Sequence, residues 1–326
     1  MPIVDVHTHM FTRRWLELLR TSGGPYGVIV RPDGKDEIYR GATPVVFPQP
    51  GHFDYDLRIA AMDQAGIDVS IVSLTCPNVF WGSEAVSVAA ARESNDTMAE
   101  AELAYPGRIK WFTSLPWQHP AAAVEELART CDNGAAGVMV LANVAGRSLT
   151  EPFFEPIWAE IDRRGLPVLV HPGEPPGADF MDMGTYDLSW SVGFMFDTTL
   201  AVTRMVFDGF LDRFPNLHLI VAHGGAALAF LVGRFEKGDE VELPSRRRMT
   251  AHPREYLQRM FYDCITYDEG ALRYLISVVG PDRVLFGTDW PHQVHDVAGS
   301  LAHTAALPAD QRDRIRGTNA IRLFGL

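Results

Sequence analysis

The sequence predicts an α/β fold, a (β/α)8 TIM barrel with an irregular insertion after the first strand, and three observations carry that prediction. Eight short apolar, β-branched runs recur along 326 residues, amphipathic stretches separate them, and metal-capable side chains fall at their C-terminal ends. The runs cover residues 3–7, 69–74, 109–115, 137–141, 167–171, 218–223, 260–264 and 284–287. Several are apolar at consecutive positions, as parallel strands covered on both faces are. Helical patterns over residues 55–65, 85–104, 121–131, 153–164, 198–213 and 270–279 fill the gaps. Asp268 is placed to cap the last of these, and Gly165 to end the one before residue 167. Strands alternating with helices indicate a barrel. An open doubly wound sheet is the runner-up, but no Gly-X-Gly-X-X-Gly turn follows the first strand to support a dinucleotide fold.

Two segments stand outside the alternation. Residues 21–52 hold Gly23-Gly24-Pro25, Pro32-Asp33-Gly34 and three further prolines, and read as the insertion. Residues 172–187 open on Pro172-Gly-Glu-Pro-Pro-Gly177, a long loop after the fifth strand. Loops on the carboxyl side of barrel strands build active sites, so this one is expected to be functional. With no repeat or linker to divide it, the chain is expected to form one barrel domain over 1–326.

Composition narrows the function. The chain is 47% hydrophobic and 21% charged, an ordinary globular balance, and its net charge of −12 argues against a nucleic-acid partner or an anionic membrane surface. Cys76, Cys131 and Cys264 are far apart, which disfavours a disulfide framework or a cysteine-rich zinc site. The N-terminus enters a strand at once and no apolar run would span a bilayer. A cytoplasmic enzyme acting on a small molecule is the expectation.

The chemistry begins at Pro2-Ile-Val-Asp-Val-His-Thr-His-Met10. Strand residues i and i+2 point the same way, about two rises of ~3.3 Å apart, so His7 and His9 can reach one ion. His171 closes the fifth strand, His223 the sixth, and Asp289 follows the eighth. A lone strand-end histidine is usually an ordinary hydrogen-bonded residue. Five such groups on one rim call for a metal. Imidazoles with one carboxylate suit a borderline divalent ion, zinc first. Four groups suffice, which leaves one for proton transfer. His223, followed by Gly-Gly and able to lean over the ion, is the choice for general acid/base.

The ordered set of His-Thr-His, His171-Pro172, His223-Gly-Gly225 and Thr288-Asp-Trp-Pro291 resembles the amidohydrolase superfamily, and within it the aminocarboxymuconate semialdehyde decarboxylase branch. The resemblance covers nearly the whole chain, including residues 57–68, 223–234, 280–291 and 319–324. It implies metal ligation by His7, His9, His171 and Asp289, with His223 catalytic and non-ligating. The ion would be zinc, with manganese or cobalt as alternatives. It also implies two substrate-binding arginines, matching Arg40 in the insertion and Arg234 on the helix after His223. Arg234 would reach into the site of a neighbouring subunit, which makes a homodimer the active unit. Guanidinium forks suit a carboxylate substrate.

The departures bear on the substrate. The family's bulky aromatic and acid after the fifth-strand His-Pro are replaced by Gly173 and Glu174, and its aromatic residue after Asp-Trp-Pro by His292, with His295 close behind. His292 and Trp190 are candidate substrate contacts. Asp5, of the same parity as His7, is a candidate partner below the metal. His52, His119, His218, His252 and His303 read as structural or exposed. The resulting expectation is a metal-dependent, non-oxidative decarboxylase of an unsaturated or aromatic acid, with His223 or Asp289 as the proton donor. The alternatives are a metal-dependent hydrolase or hydratase and a non-enzymatic binding protein.

Overall fold

A computed structural model describes residues 1–41, 43–241 and 248–326 of the chain. Eight parallel strands pair in chain order: β1 (Val4–His9), β2 (Val69–Ser73), β3 (Ile109–Ser114), β4 (Gly137–Leu141), β5 (Pro167–His171), β6 (His218–Val221), β7 (Phe261–Asp263) and β8 (Val284–Leu285). The ring closes between β8 and β1. Val6 N donates to the Phe286 carbonyl at 3.0 Å, Asp289 N to that of His7 at 2.9 Å, and His9 N to that of Trp290 at 2.8 Å. Every residue of β1, β4 and β5 is buried, which is why these runs are not alternating in sequence. β6 stops at Val221, two residues short of the expected end, because the chain turns sharply at His223.

The helices follow the amphipathic stretches. One stretch is interrupted: residues 194–213 form helices Phe194–Phe207 and Phe210–Arg213, broken where Gly209 takes a φ of +64°. The insertion is more regular than its glycines and prolines lead one to expect. After the helix Arg13–Ser22 it forms a three-stranded antiparallel sheet of Tyr26–Val30, Asp36–Arg40 and Thr43–Val46, residue 42 lying outside the described residues. Pro32-Asp33-Gly34 is the tip of its first hairpin. The loop after β5 winds through short 3-10 turns into a π-helical turn, Ser189–Gly193, that carries Trp190.

One buried cation ties the barrel seam. Arg58, on helix Tyr55–Ala65, is 1% exposed. It donates to Thr8 Oγ1 at 2.6 Å and to the His9 carbonyl at 2.5 Å, and its guanidinium lies 4.4 Å from the Trp290 ring centre. Burial lowers its pKa to about 10, so it stays charged at neutral pH. It therefore grips β1 and the segment after β8 together, just where the histidines leave β1. Replacing Arg58 by Met should lower unfolding stability by about 2–4 kcal/mol, since buried acceptors lose their donor. Urea unfolding measures this; an unchanged midpoint would show that the seam holds without the cation.

Candidate metal centre

Inward-facing positions of β1 bring His7 and His9 together, with their Nε2 atoms 3.1 Å apart. Asp289 Oδ1 lies 3.1 Å from His9 Nε2 and 3.5 Å from His7 Nε2. The ring of His171 packs 5.1 Å from that of His7 and 4.9 Å from that of His9. His223 approaches from the other side, its Nε2 3.7 Å from Asp289 Oδ2. The two oxygens of Asp289 are thus divided, one facing the β1 histidines and one facing His223.

The opposite ring nitrogens have their own partners. His7 Nδ1 is 2.6 Å from Asp263 Oδ2, His9 Nδ1 is 3.1 Å from Ser73 Oγ, and His171 Nδ1 donates to the Pro172 carbonyl at 2.9 Å. A carbonyl only accepts, so neutral His171 keeps its lone pair on Nε2, a buried atom with no hydrogen-bond partner among the described residues. His7, His171, His223 and Asp289 offer ligand atoms within 4.8 Å of one another, His9, Asp289 and His292 form an overlapping group, and these donors fit a divalent ion.

Electrostatics agree with that fit. Burial holds His9 down to about 3 and His171 well below the usual histidine range. Burial also opposes the charged Asp289, yet the surrounding His292, His223 and His9 rings keep its carboxyl well below the carboxylate norm. His7 differs: burial would lower it, but the hydrogen bond to Asp263 raises it.

Asp263 is the functional residue that sequence reasoning missed. Besides His7 it accepts the backbone N–H of His223 at 2.8 Å, Gly224 at 2.9 Å and Ile265 at 3.0 Å. These bonds hold His223 at a φ of 54°, a left-handed conformation unfavourable for a residue with a Cβ. The turn also needs Gly225, where a Cβ would sit 2.5 Å from the Tyr262 ring. The signal was an acid inside the apolar run Phe261-Tyr-Asp-Cys264.

Above the cluster lies a cavity of roughly 400 Å³. His171, His223, Asp289, His292, Cys76 and Trp190 form part of its wall, and Trp190 is 43% exposed. The structure does not bring Arg40 into this cavity. Arg40 pairs with Glu174 and lines a separate 110 Å³ chamber with Tyr26, Asn143 and Gly173. Arg31, from the tip of the insertion hairpin, lines the main cavity instead. Arg234 lies on the exposed face of helix Leu228–Glu240 and does not line the cavity. Asp5 sits below the cluster, bonded to Thr288 Oγ1 at 2.6 Å and the His7 amide at 3.2 Å. His52, read from the sequence as structural or exposed, is the former: it is fully buried, with its ring 4.9 Å from that of His292.

The chain belongs to the amidohydrolase family (Amidohydro_2), whose model matches residues 4–326. It is 31% identical to the 2-amino-3-carboxymuconate-6-semialdehyde decarboxylase of Dictyostelium discoideum, over 99% of this chain and 91% of the relative. It is also 31% identical to the gamma-resorcylate decarboxylase of a Rhizobium species, over 83% of this chain and 87% of the relative. A solved structure of 2,6-dihydroxybenzoate decarboxylase complexed with 2,6-dihydroxybenzoate matches with a TM-score of 0.83 and 26% identity, covering 100% of both chains.

Because Asp263 orients His7, Asp263→Asn should weaken divalent metal binding by about 10–100-fold while the protein stays folded. Competition against a chromophoric chelator reads this, and wild-type affinity in the variant would remove Asp263 from the metal site.

Proposed function

We propose that this protein is a metal-dependent, non-oxidative decarboxylase of an aromatic or unsaturated carboxylic acid. The observation that carries the reading is that His7, His9, His171 and Asp289, the proposed ligands, cluster with His223 beneath a cavity, with Asp289 Oδ1 3.1 Å from His9 Nε2 and Oδ2 3.7 Å from His223 Nε2. The relatives' shared chemistry supports it, since each of those named above is a decarboxylase. A divalent ion held by those four residues, zinc in first place with manganese or cobalt as alternatives, would supply Lewis-acid stabilisation of charge on the substrate.

The chain's own residues perform the rest. When the bond to the carboxylate breaks, its electron pair stays on the ring or alkene carbon and CO₂ leaves. That carbon then needs a proton. His223 is the proposed donor, because Asp289 would be engaged with the ion through Oδ1 while His223 lines the cavity, its Nε2 3.7 Å from Asp289 Oδ2. Trp190 offers an apolar wall for the substrate's ring, His292 a polar one, and Arg31 a cation at the mouth of the cavity. Arg40, neutralised by Glu174, acts from the neighbouring chamber.

A homodimer completes the proposal. Arg234 lies one helical turn beyond Phe230, which is 79% exposed and borders an apolar depression that includes His223. That face buried against a second copy would carry Arg234 toward the partner's cavity. The whole chain is proposed to work as one barrel domain in the cytoplasm, where Cys76, Cys131 and Cys264 would stay reduced; among the described residues no helix is long and apolar enough to cross a membrane.

His223→Asn should keep the metal and lose about 10²–10⁴-fold in turnover, read by metal analysis and CO₂ release over hydroxybenzoate and aminocarboxymuconate acids. Metal loss in that variant, or ester or lactone hydrolysis without CO₂ release, would overturn the assignment. Removing the ion with a chelator should abolish turnover, and adding back zinc, manganese or cobalt should restore it. Mixing inactive His223→Asn with inactive Arg234→Ala should recover part of the activity, because a mixed dimer keeps one intact site. No recovery after subunit exchange would place Arg234 outside the partner's site.

A further inference from the structure

His52 occupies an unusual place for a histidine that lines no part of the cavity. It ends the short turn Pro50–His52, between the insertion and the helix Tyr55–Ala65, and is fully buried. Its ring stacks on Phe11 at 4.3 Å and 7°, and its carbonyl accepts the Phe11 amide at 2.6 Å. The turn lies against the segment after β8 so closely that a Cβ on Gly51 would come 2.5 Å from the Trp290 ring. Both anchors hold the His52 ring 4.9 Å from that of His292, which is itself 4.9 Å from the ring of His9.

The tautomer of His52 follows from its partner. Nδ1 accepts the backbone N–H of Gln49 at 2.9 Å, so in the neutral ring the proton is on Nε2. That Nε2–H is buried and has no hydrogen-bond partner among the described residues. A buried donor left unsatisfied is costly, so a rigidly anchored one implies an acceptor that it serves. The adjacent ring that could supply one is His292, one of whose nitrogens lies within 4.8 Å of ligand atoms of His9 and Asp289 and whose second nitrogen is left for another partner.

We propose that His52 is a positioning residue for His292. Its Nε2–H donates, directly or through one water, to the His292 nitrogen remote from the metal cluster, and so places the His292 proton on the nitrogen facing the cavity. His292 then presents an N–H donor to the substrate and has no lone pair there with which to bind the ion. Such a donor suits a substrate oxygen that gains charge as the carbon–carbon bond breaks. The inference rests on the decarboxylase reading for its substrate, but its tautomer claim stands apart from turnover.

The test uses zinc-loaded protein. Long-range ¹H–¹⁵N spectra of the wild type should show His52 protonated at Nε2 and His292 protonated on the nitrogen facing Asp289. His52→Gln, whose amide nitrogen reaches about where Nε2 stood, should keep turnover within about threefold of wild type. His52→Asn, which reproduces the Nδ1 acceptor alone, and His52→Phe, which keeps the stack alone, should lose about tenfold or more in kcat at unchanged metal content. Wild-type kcat in His52→Asn, or a His292 lone pair facing the cavity in the wild-type spectrum, would overturn the proposal. If wild-type protein releases no CO₂ from any acid tried, the decarboxylase reading falls and the spectrum alone decides the role of His52.

Discussion

Asp263 has no contact with solvent, and burial alone would push its carboxyl toward protonation. The hydrogen bond from His7 reverses that and holds it below its ordinary value. Three backbone N–H groups complete its coordination. One carboxylate therefore does two things that would otherwise be unrelated. It orients a ring of β1 toward the metal position, and it pins the turn that swings His223 over the same point. Loss of its charge turns one of its two acceptor oxygens into a donor, so either the pair His7 and His223 on Oδ2 or the pair Gly224 and Ile265 on Oδ1 is left short of an acceptor.

Barrel closure supplies the other constraint. Asp289 and His7 are far apart in sequence, but the β8–β1 seam makes them neighbours through the Asp289 amide and the His7 carbonyl. Arg58 stands behind that seam, and its contacts on Thr8, the His9 carbonyl and the Trp290 ring keep both sides in register. The catalytic rim is thus braced from below by charge and from behind by a cation. This is how barrels hold reactive side chains on strand ends without depending on mobile loops.

Most of this was legible in the sequence because the two strongest signals are local. Apolar runs identify strands, and a polar residue that ends such a run must face the rim. His7, His9, His171, His223 and Asp289 all satisfy that rule. What escaped reading has the opposite character. Asp263 falls inside the sequence run 260–264, although β7 ends on it in the structure, so nothing in its neighbours shows that its acceptors are shared between His7 and His223. His52 sits in a proline-glycine turn that reads equally as structural or exposed, and the packing of Gly51 on Trp290 decides for interior. Arg31 and Arg40 exchange places for a similar reason. They sit at opposite ends of a hairpin whose pairing, Tyr26 with Arg40 and Val30 with Asp36, depends on register and not on composition.

Two residues of the candidate site break local backbone rules. His223 and Asp289 both adopt positive φ, at 54° and 60°, where a side chain costs about 1–2 kcal/mol relative to ordinary backbone. Neither conformation would persist in isolation. Asp263 holds the first, and the His7 carbonyl, taking the Asp289 amide, holds the second. Relaxing either residue would turn its side chain away from the division of the Asp289 oxygens, with Oδ1 toward His7 and His9 and Oδ2 toward His223. In the proposed mechanism, that division would separate a metal-binding role from a proton-transfer role within a single carboxylate. The strain is maintained because leaving these conformations would break the His223 and Gly224 amide bonds to Asp263 and the Asp289 amide bond to the His7 carbonyl.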